Sequence, residues 1–398
     1  MKKLCSEHTL RLIELCEKFS NHFGIPPVIA GFAPGRIEVL GNHTDYNEGF
    51  VLSSAINMGT YTLVASVKDK KCRVWSANII DDETEFEISP DIPLATNHIW
   101  ANYVRGVSAG IFKLAGIPSG FNAMIWGEVP VGAGLSSSAA LEMSFGKAIC
   151  SLYNLQITNL QLAEIGQKAE HLYVGTKCGL LDQLTSLYGK AYSLVFLDFR
   201  SFDVETVPIP HDCTFLVCNT GVKHTLVESE YNERRQTCEN AVIQFSKLLG
   251  RQIKALRDVT WEDFQQYSAK LPPLLARRSA HVIGENKRVI EAKNFLLKGE
   301  LKKFGQLMYE SHFSSIHNFE NSCPELDFLV EQAQKVSGVF GARLSGGGFG
   351  GSVIVLAETS SASHVAGILK DVFLHRFNRI CEIQNIVPSD GATVIPLS

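Results

Sequence analysis

Arg36, His43 and Asp45 share one stretch, 34–49, that reads Pro-Gly-Arg-Ile-Glu-Val-Leu-Gly-Asn-His-Thr-Asp-Tyr-Asn-Glu-Gly. A guanidinium offers a fixed fork of donors to an anion, and a carboxylate accepts from two vicinal hydroxyls at once. The glycines permit sharp bends between such groups. The segment suits a grip on a polyol, and equally reads as a polar turn. A second stretch, 130–142, runs Pro-Val-Gly-Ala-Gly-Leu-Ser-Ser-Ser-Ala-Ala-Leu-Glu. A glycine turn opening a helix leaves unpaired amides and positive potential at the helix start, a cradle for an anion. One serine suffices to cap a helix. Three in succession (Ser136, Ser137, Ser138) favour phosphate binding, with hydroxyls able to donate to phosphate or to coordinate Mg²⁺. No Gly-Lys-Ser/Thr follows, so this is not a Walker loop.

Two further segments carry reactive or permissive residues. Cys178-Gly-Leu-Leu-Asp-Gln183 places Asp182 at the start of a short helix reaching Leu187. There it is either a first-turn or capping aspartate or a carboxylate poised to take a proton from a substrate hydroxyl. Leu344-Ser-Gly-Gly-Gly-Phe-Gly-Gly351 sets a phenylalanine among glycines and reads best, taken alone, as a flexible hairpin.

The elements around these segments follow from pattern. Strands are predicted at 60–67, 121–126, 195–199, 215–219 and 352–357, and helices at 136–153, 160–174 and 228–249. In the second helix Leu162, Ile165, Ala169 and Leu172 form one stripe, which leaves Glu170 off the buried face. The polar, proline-bearing stretch 200–213 marks a boundary, giving domains at 1–205 and 206–398. Strands and helices mix without regular alternation, the pattern of an α+β fold.

Composition narrows the function classes. The 398 residues exceed one hydrophobic core, so two domains are expected. A net charge of −4, with no basic cluster interleaved with aromatics, argues against nucleic acid. Glu7, Arg11, Glu14, Glu17 and Lys18 interrupt the apolar residues of the first 23 positions, so neither a signal peptide nor a membrane span is read there. A cytoplasmic setting follows, with the ten cysteines as reduced thiols. Histidine spacing, with His312 and His317 five apart, does not suit zinc.

In this order the segments resemble the three motifs of the GHMP small-molecule kinases and, within them, the galactokinases. Trp100-Ala-Asn-Tyr-Val-Arg-Gly-Val107, Lys223-His224 with Ser229-Glu-Tyr-Asn-Glu-Arg-Arg235, and Ser322-Cys-Pro-Glu-Leu-Asp327 extend the likeness over nearly the whole chain. The resemblance implies a nucleotide-loop domain followed by a ferredoxin-like domain, with the active site in the cleft between them. It implies ATP and Mg²⁺, a monomer, and phosphorylation of the anomeric hydroxyl of an aldohexose, foremost galactose. Residue by residue, Gly132, Ala133, Gly134, Leu135, Ser136, Ser137 and Ser138 would hold the triphosphate, and Ser138 with Glu170 the metal. Asn42, His43, Thr44, Asp45, Gly179 and Tyr231 would face the sugar, and Trp100 and Tyr103 the adenine. Asp182 would accept or orient the reacting proton, and Arg36 would stabilise the transferring phosphoryl group.

Two positions depart from that pattern. The galactokinases usually carry glutamate where this chain has Asn42, and asparagine where it has Glu38. With a neutral amide at 42, a carboxylate or methyl at carbon 6 would no longer face an anion, so carbon-6 specificity is expected to be altered. The alternatives are a kinase for galacturonate, fucose or N-acetylgalactosamine, and a silent sugar-and-ATP sensor. The intact serines together with Arg36, Glu170 and Asp182 weigh against the sensor.

Overall fold

The computed structural model describes residues 6–78, 82–222 and 227–397. Among them, twelve strands form two sheets. They are β1 (Ile29–Leu40), β2 (Phe50–Ser66), β3 (Lys71–Ser76), β4 (Glu83–Glu87), β5 (Phe121–Gly127), β6 (Ser193–Asp198), β7 (Val204–Pro208), β8 (Cys213–Asn219), β9 (Val339–Ser345), β10 (Ser352–Glu358), β11 (Glu382–Ile386) and β12 (Thr393–Pro396).

The first sheet runs β12-β1-β2-β5-β3-β4, with β6 and β7 continuing from the early half of β2. The second is antiparallel, in the order β11-β8-β10-β9. Helices pack on both, so the α+β architecture expected from the sequence is the one found. The first sheet includes β7 and regains β12 from the chain's end, so a division at 205/206 cuts a strand. The crossing between sheets falls at 209–212.

β1 was not legible as a strand, because Gly31, Pro34 and Gly35 interrupt its pattern. Those glycines mark close approach. A Cβ at Gly31 would overlap the Ser144 carbonyl of the helix Ser137–Leu152, and one at Gly35 would overlap the Leu135 carbonyl. The strand is buried almost throughout. Ile37 and Val39 enter a core shared by both sheets, with Phe215, Val217, Ile354 and Leu356. Arg36 and Glu38 alternate with them and point the opposite way. Register shifts at Pro34/Arg36 and Glu38/Leu40 bracket this pair, and such irregularities bend a strand and re-aim its side chains.

The predicted helix 160–174 changes pitch. It is α-helical over Asn159–Ala169 and π-helical over Glu170–Val174. The wider turn rotates the stripe out of phase. Leu172 is consequently 74% exposed and Glu170 only 5%, the reverse of the stripe reading.

Candidate active site

Thr44 donates its hydroxyl to the carbonyls of Gly41 and Phe50, closing the turn after β1. The buried Glu285, on the helix Pro273–Leu297, accepts from the amides of Gly41 and Asn42 (2.9 Å each), and Asn286 accepts from the Phe50 amide. This clamp from the second half of the chain sets the loop's position. Arg288 lies against Glu285 and holds its carboxyl well below the usual range despite complete burial.

The loop opens onto a cavity of about 350 Å³ lined by Arg36, Glu38, Asn42, His43, Asp45, Gly179, Asp182 and Tyr231, with Gly346 and Gly347 opposite. Ligand pockets start near this size. Thr44 is fully buried and does not line the cavity, so the structure separates it from the sugar-facing set. His43 lines it, but both ring nitrogens are engaged: Nδ1 with the Tyr46 hydroxyl (2.8 Å) and Nε2 with the Gly347 carbonyl (3.1 Å). Burial pushes its pKa down to about 4. A neutral ring therefore accepts at Nδ1 and donates at Nε2, tying the loop to the glycine segment. That segment is no loose hairpin. Gly346 accepts from Asn42, Gly347 from His43 and Asn321, and Phe349 donates its amide to Asn321.

Asp45 Oδ2 lies against Gly179, where a Cβ would overlap it. Burial, and secondarily the charge of Asp182, raises the Asp45 pKa to about 6. A carboxyl whose folded pKa lies above its ordinary 3.8 adds stability below that value and loses it as pH rises through about 6. Wild type compared with Asp45→Asn should therefore lose about 1–2 kcal/mol between pH 4 and pH 7.5, read from urea midpoints. A pH-independent difference would contradict this placement.

Asp182 lies in the first turn of the helix Leu181–Tyr188, where Leu180 is the N-cap and no side chain caps the helix. Its Oδ1 accepts from Arg36 Nε (2.8 Å) and Nη2 (2.6 Å), and its Oδ2 accepts from the Ser136 hydroxyl. Arg36 Nη1 donates to the Gly134 carbonyl (2.7 Å), and the Arg36 amide donates to Leu135. One side chain thus joins β1, Asp182 and the glycine-serine turn.

In that turn Gly132, Gly134 and Ser136 have positive φ. Ala133 and Leu135 are buried beneath it, and Val131 is exposed. Ser136 occupies the N-cap position of the helix Ser137–Leu152 but makes no side-chain cap bond. The first-turn amides of Ser137, Ser138 and Ala139 stay uncapped by side chains, which suits an anion. Ser138 donates to Glu170 Oε1 (3.1 Å), and Gln183 reaches both Glu170 and the buried Glu142. Burial, and then Asp182, raises the Glu170 pKa to about 7. A hydroxyl and a crowded carboxylate beside an anion cradle are a donor set suited to Mg²⁺, which keeps waters and phosphate oxygens as its other ligands.

Trp100 and Tyr103 lie outside the cavity lining. The Trp100 indole donates to Asp82 (2.7 Å). Tyr103 lies within electrostatic reach of Glu170 and Glu142, whose charges add to burial in raising its pKa. Lys223 and His224 fall outside the described residues.

Residues that sequence reasoning missed are Glu285, Asn286, Asn321 and Arg343. Asn321 donates to Asn42 Oδ1 (2.9 Å), and Arg343, fully buried, donates to Glu38 (3.4 Å) and Val39. No local spacing announces such partners; a charged residue inside an apolar strand, as at Arg343 in Gly-Ala-Arg-Leu, is the one available cue. Asn42 also behaves otherwise than expected. Its Nδ2 donates to Glu38 Oε1 (2.8 Å) and to Gly346, so the cavity keeps a carboxylate beside position 42. The expectation of a site freed of its anion there is corrected.

A polyol-sized cavity in which an arginine bridges a carboxylate to a glycine-serine turn at a helix start has the make-up of a small-molecule phosphotransferase site. Residues 102–190 match the GHMP kinases N terminal domain, 292–374 the GHMP kinases C terminal, and 17–66 the galactokinase galactose-binding signature. The chain is 42% identical to a galactokinase of Actinobacillus pleuropneumoniae over 360 residues, covering 89% of this chain and 92% of that one. It is 40% identical to a galactokinase of Chloroflexus aurantiacus over 96% of this chain and 97% of that one. The Lactococcus lactis galactokinase complexed with galactose superposes with a TM-score of 0.90 at 33% identity, covering 96% of this chain and 99% of that one. The chain belongs to the GHMP kinases, in their galactokinase branch.

Proposed function

We propose that this chain transfers the γ-phosphoryl group of ATP to the anomeric hydroxyl of galactose, yielding galactose 1-phosphate and ADP. The observation that carries the proposal is the Arg36 bridge, which places the Asp182 carboxylate between the cavity and the serine turn. The sugar would sit against Asp45, Gly179 and Tyr231 with its anomeric oxygen at Asp182, and the triphosphate would lie over Gly132 to Ser138. The anomeric oxygen bonds to the γ-phosphorus as the bond to the β,γ-bridging oxygen breaks, and Asp182 takes or orients the departing proton. The Arg36 guanidinium and the helix amides face the charge that develops on the transferring group. Ser138 and Glu170 would hold Mg²⁺, which when bound neutralises phosphate charge.

Trp100, fixed by Asp82, would flank the adenine, while Tyr103 lies toward Glu170 and Glu142. Two lobes, one on each sheet, would form the cleft of a cytoplasmic monomer. Among the described residues no helix is long and apolar enough to cross a membrane. ADP release measured over galactose, galacturonate, fucose and N-acetylgalactosamine tests the reading. Turnover should be fastest with galactose. Faster turnover of another sugar would reassign the substrate, and no ADP with any of them would favour the sensor.

A further inference from the structure

We infer that Glu38, braced by Asn42, is a substrate-binding carboxylate of this site, selecting a neutral hexose by accepting from one hydroxyl other than the reacting one. This rests on the galactose kinase reading above. Glu38 follows Arg36 by two residues on β1, so both project to the cavity side, about 7 Å apart along the strand. A reacting hydroxyl at Arg36 and Asp182 therefore leaves the far side of a pyranose toward Glu38.

The two carboxylate oxygens differ. Oε1 accepts from Asn42 Nδ2 and Arg343 Nη1. Oε2 has no hydrogen-bond partner among the described residues, and it is not sealed off, although Glu38 is 95% buried. Asn42 cannot serve the sugar as a donor in its place. Both Nδ2 hydrogens are spent, on Glu38 and on Gly346, and Oδ1 accepts from Asn321. Asn42 thus holds the carboxylate by one oxygen and leaves the other for a ligand.

A ligand hydroxyl donating to Oε2 would complete the carboxylate's bonding, whereas a hydrogen in its place would leave a buried anion short of a partner. An anionic substituent there would face like charge, since Asp45 and Asp182 line the same cavity. Arg343 lies behind Glu38 rather than across from it, bonded to Oε1 and the Val39 carbonyl. The cavity therefore fits a neutral polyol and disfavours a uronate.

The test is a substrate panel of galactose, its 2-, 3-, 4- and 6-deoxy forms and galacturonate, run on wild type and Glu38→Gln. The variant should lower kcat/KM for galactose roughly 10- to 100-fold, chiefly through KM. For one deoxysugar the same substitution should matter less than about threefold, and galacturonate should gain relative to galactose. An equal fall on every sugar would show that Glu38 only holds the loop, and no fall at all would show no contact; either overturns the inference. Should Glu38→Gln not fold, Glu38→Asp keeps the charge beside Arg343 and should give the same sugar-selective pattern. Absence of galactose turnover in wild type would instead sink the functional reading, and Glu38 would then be judged on whichever neutral hexose is phosphorylated.

Discussion

Asp182→Asn is expected to lower kcat roughly 10²- to 10⁴-fold, with the protein folded and both substrates still bound. The amide oxygen can keep the bonds from Arg36 Nε and Nη2, while the amide nitrogen faces Ser136. A serine hydroxyl donates or accepts by rotation, so the contact survives with its direction reversed. What disappears is the negative acceptor for the anomeric proton. An anomeric hydroxyl is more acidic than the other hydroxyls of a sugar, which places the effect below the top of the range if Asp182 mainly orients it. The change has a second readout. The charge of Asp182 raises both Asp45 and Glu170, so its removal should shift their titrations to lower pH, visible in the pH dependence of sugar and nucleotide binding. Single-turnover rates, with circular dichroism to verify folding, check the first effect. Near-normal turnover by the folded variant would remove Asp182 from the chemistry.

The segments that bear reactive groups were readable because their local composition is unusual. Three serines after a glycine turn, an aspartate opening a short helix and five glycines around Phe349 each depart from what an ordinary loop requires. The structure gives each a use. Ser136 and Ser138 donate to two different carboxylates rather than capping the helix. Phe349 is buried at positive φ while its amide bonds to Asn321.

Long-range polar pairing was not readable. Glu285 meets Gly41 and Asn42 from more than 240 positions away, and nothing in a helix of mixed charge distinguishes it from its exposed neighbours. Position 170 failed for a related reason, since a pitch change leaves no period to read and inverted the inside and outside of the helix. Asn42 was judged as a lone replacement, although its meaning depends on Glu38, four residues earlier and 2.8 Å away.

Arg36→Met should be the more damaging substitution, because Arg36 has a role in both halves of the site. An arginine aimed at a transferring phosphoryl group contributes roughly 10³- to 10⁵-fold to turnover. The Arg36 guanidinium, with its side chain 9% exposed, lies between Asp182 and the Gly134 carbonyl. Methionine matches the length of its apolar stem and supplies no donor. Asp182 then keeps only the Ser136 hydroxyl, and the serine turn loses its side-chain tie to β1. Breaking a largely buried pair from one side costs about 3 kcal/mol, reduced here because Asp182 is 24% exposed. Arg36→Lys separates charge from geometry. Its single ammonium restores the positive charge but cannot present Nε, Nη1 and Nη2 to two partners at once. Lysine should therefore recover most of the stability and only part of the rate, remaining roughly 10²-fold below wild type. If Arg36→Met turned over within tenfold of wild type, the bridge between sugar cavity and phosphate turn would be structural, and stabilisation of the transferring group would have to be assigned to the helix amides alone.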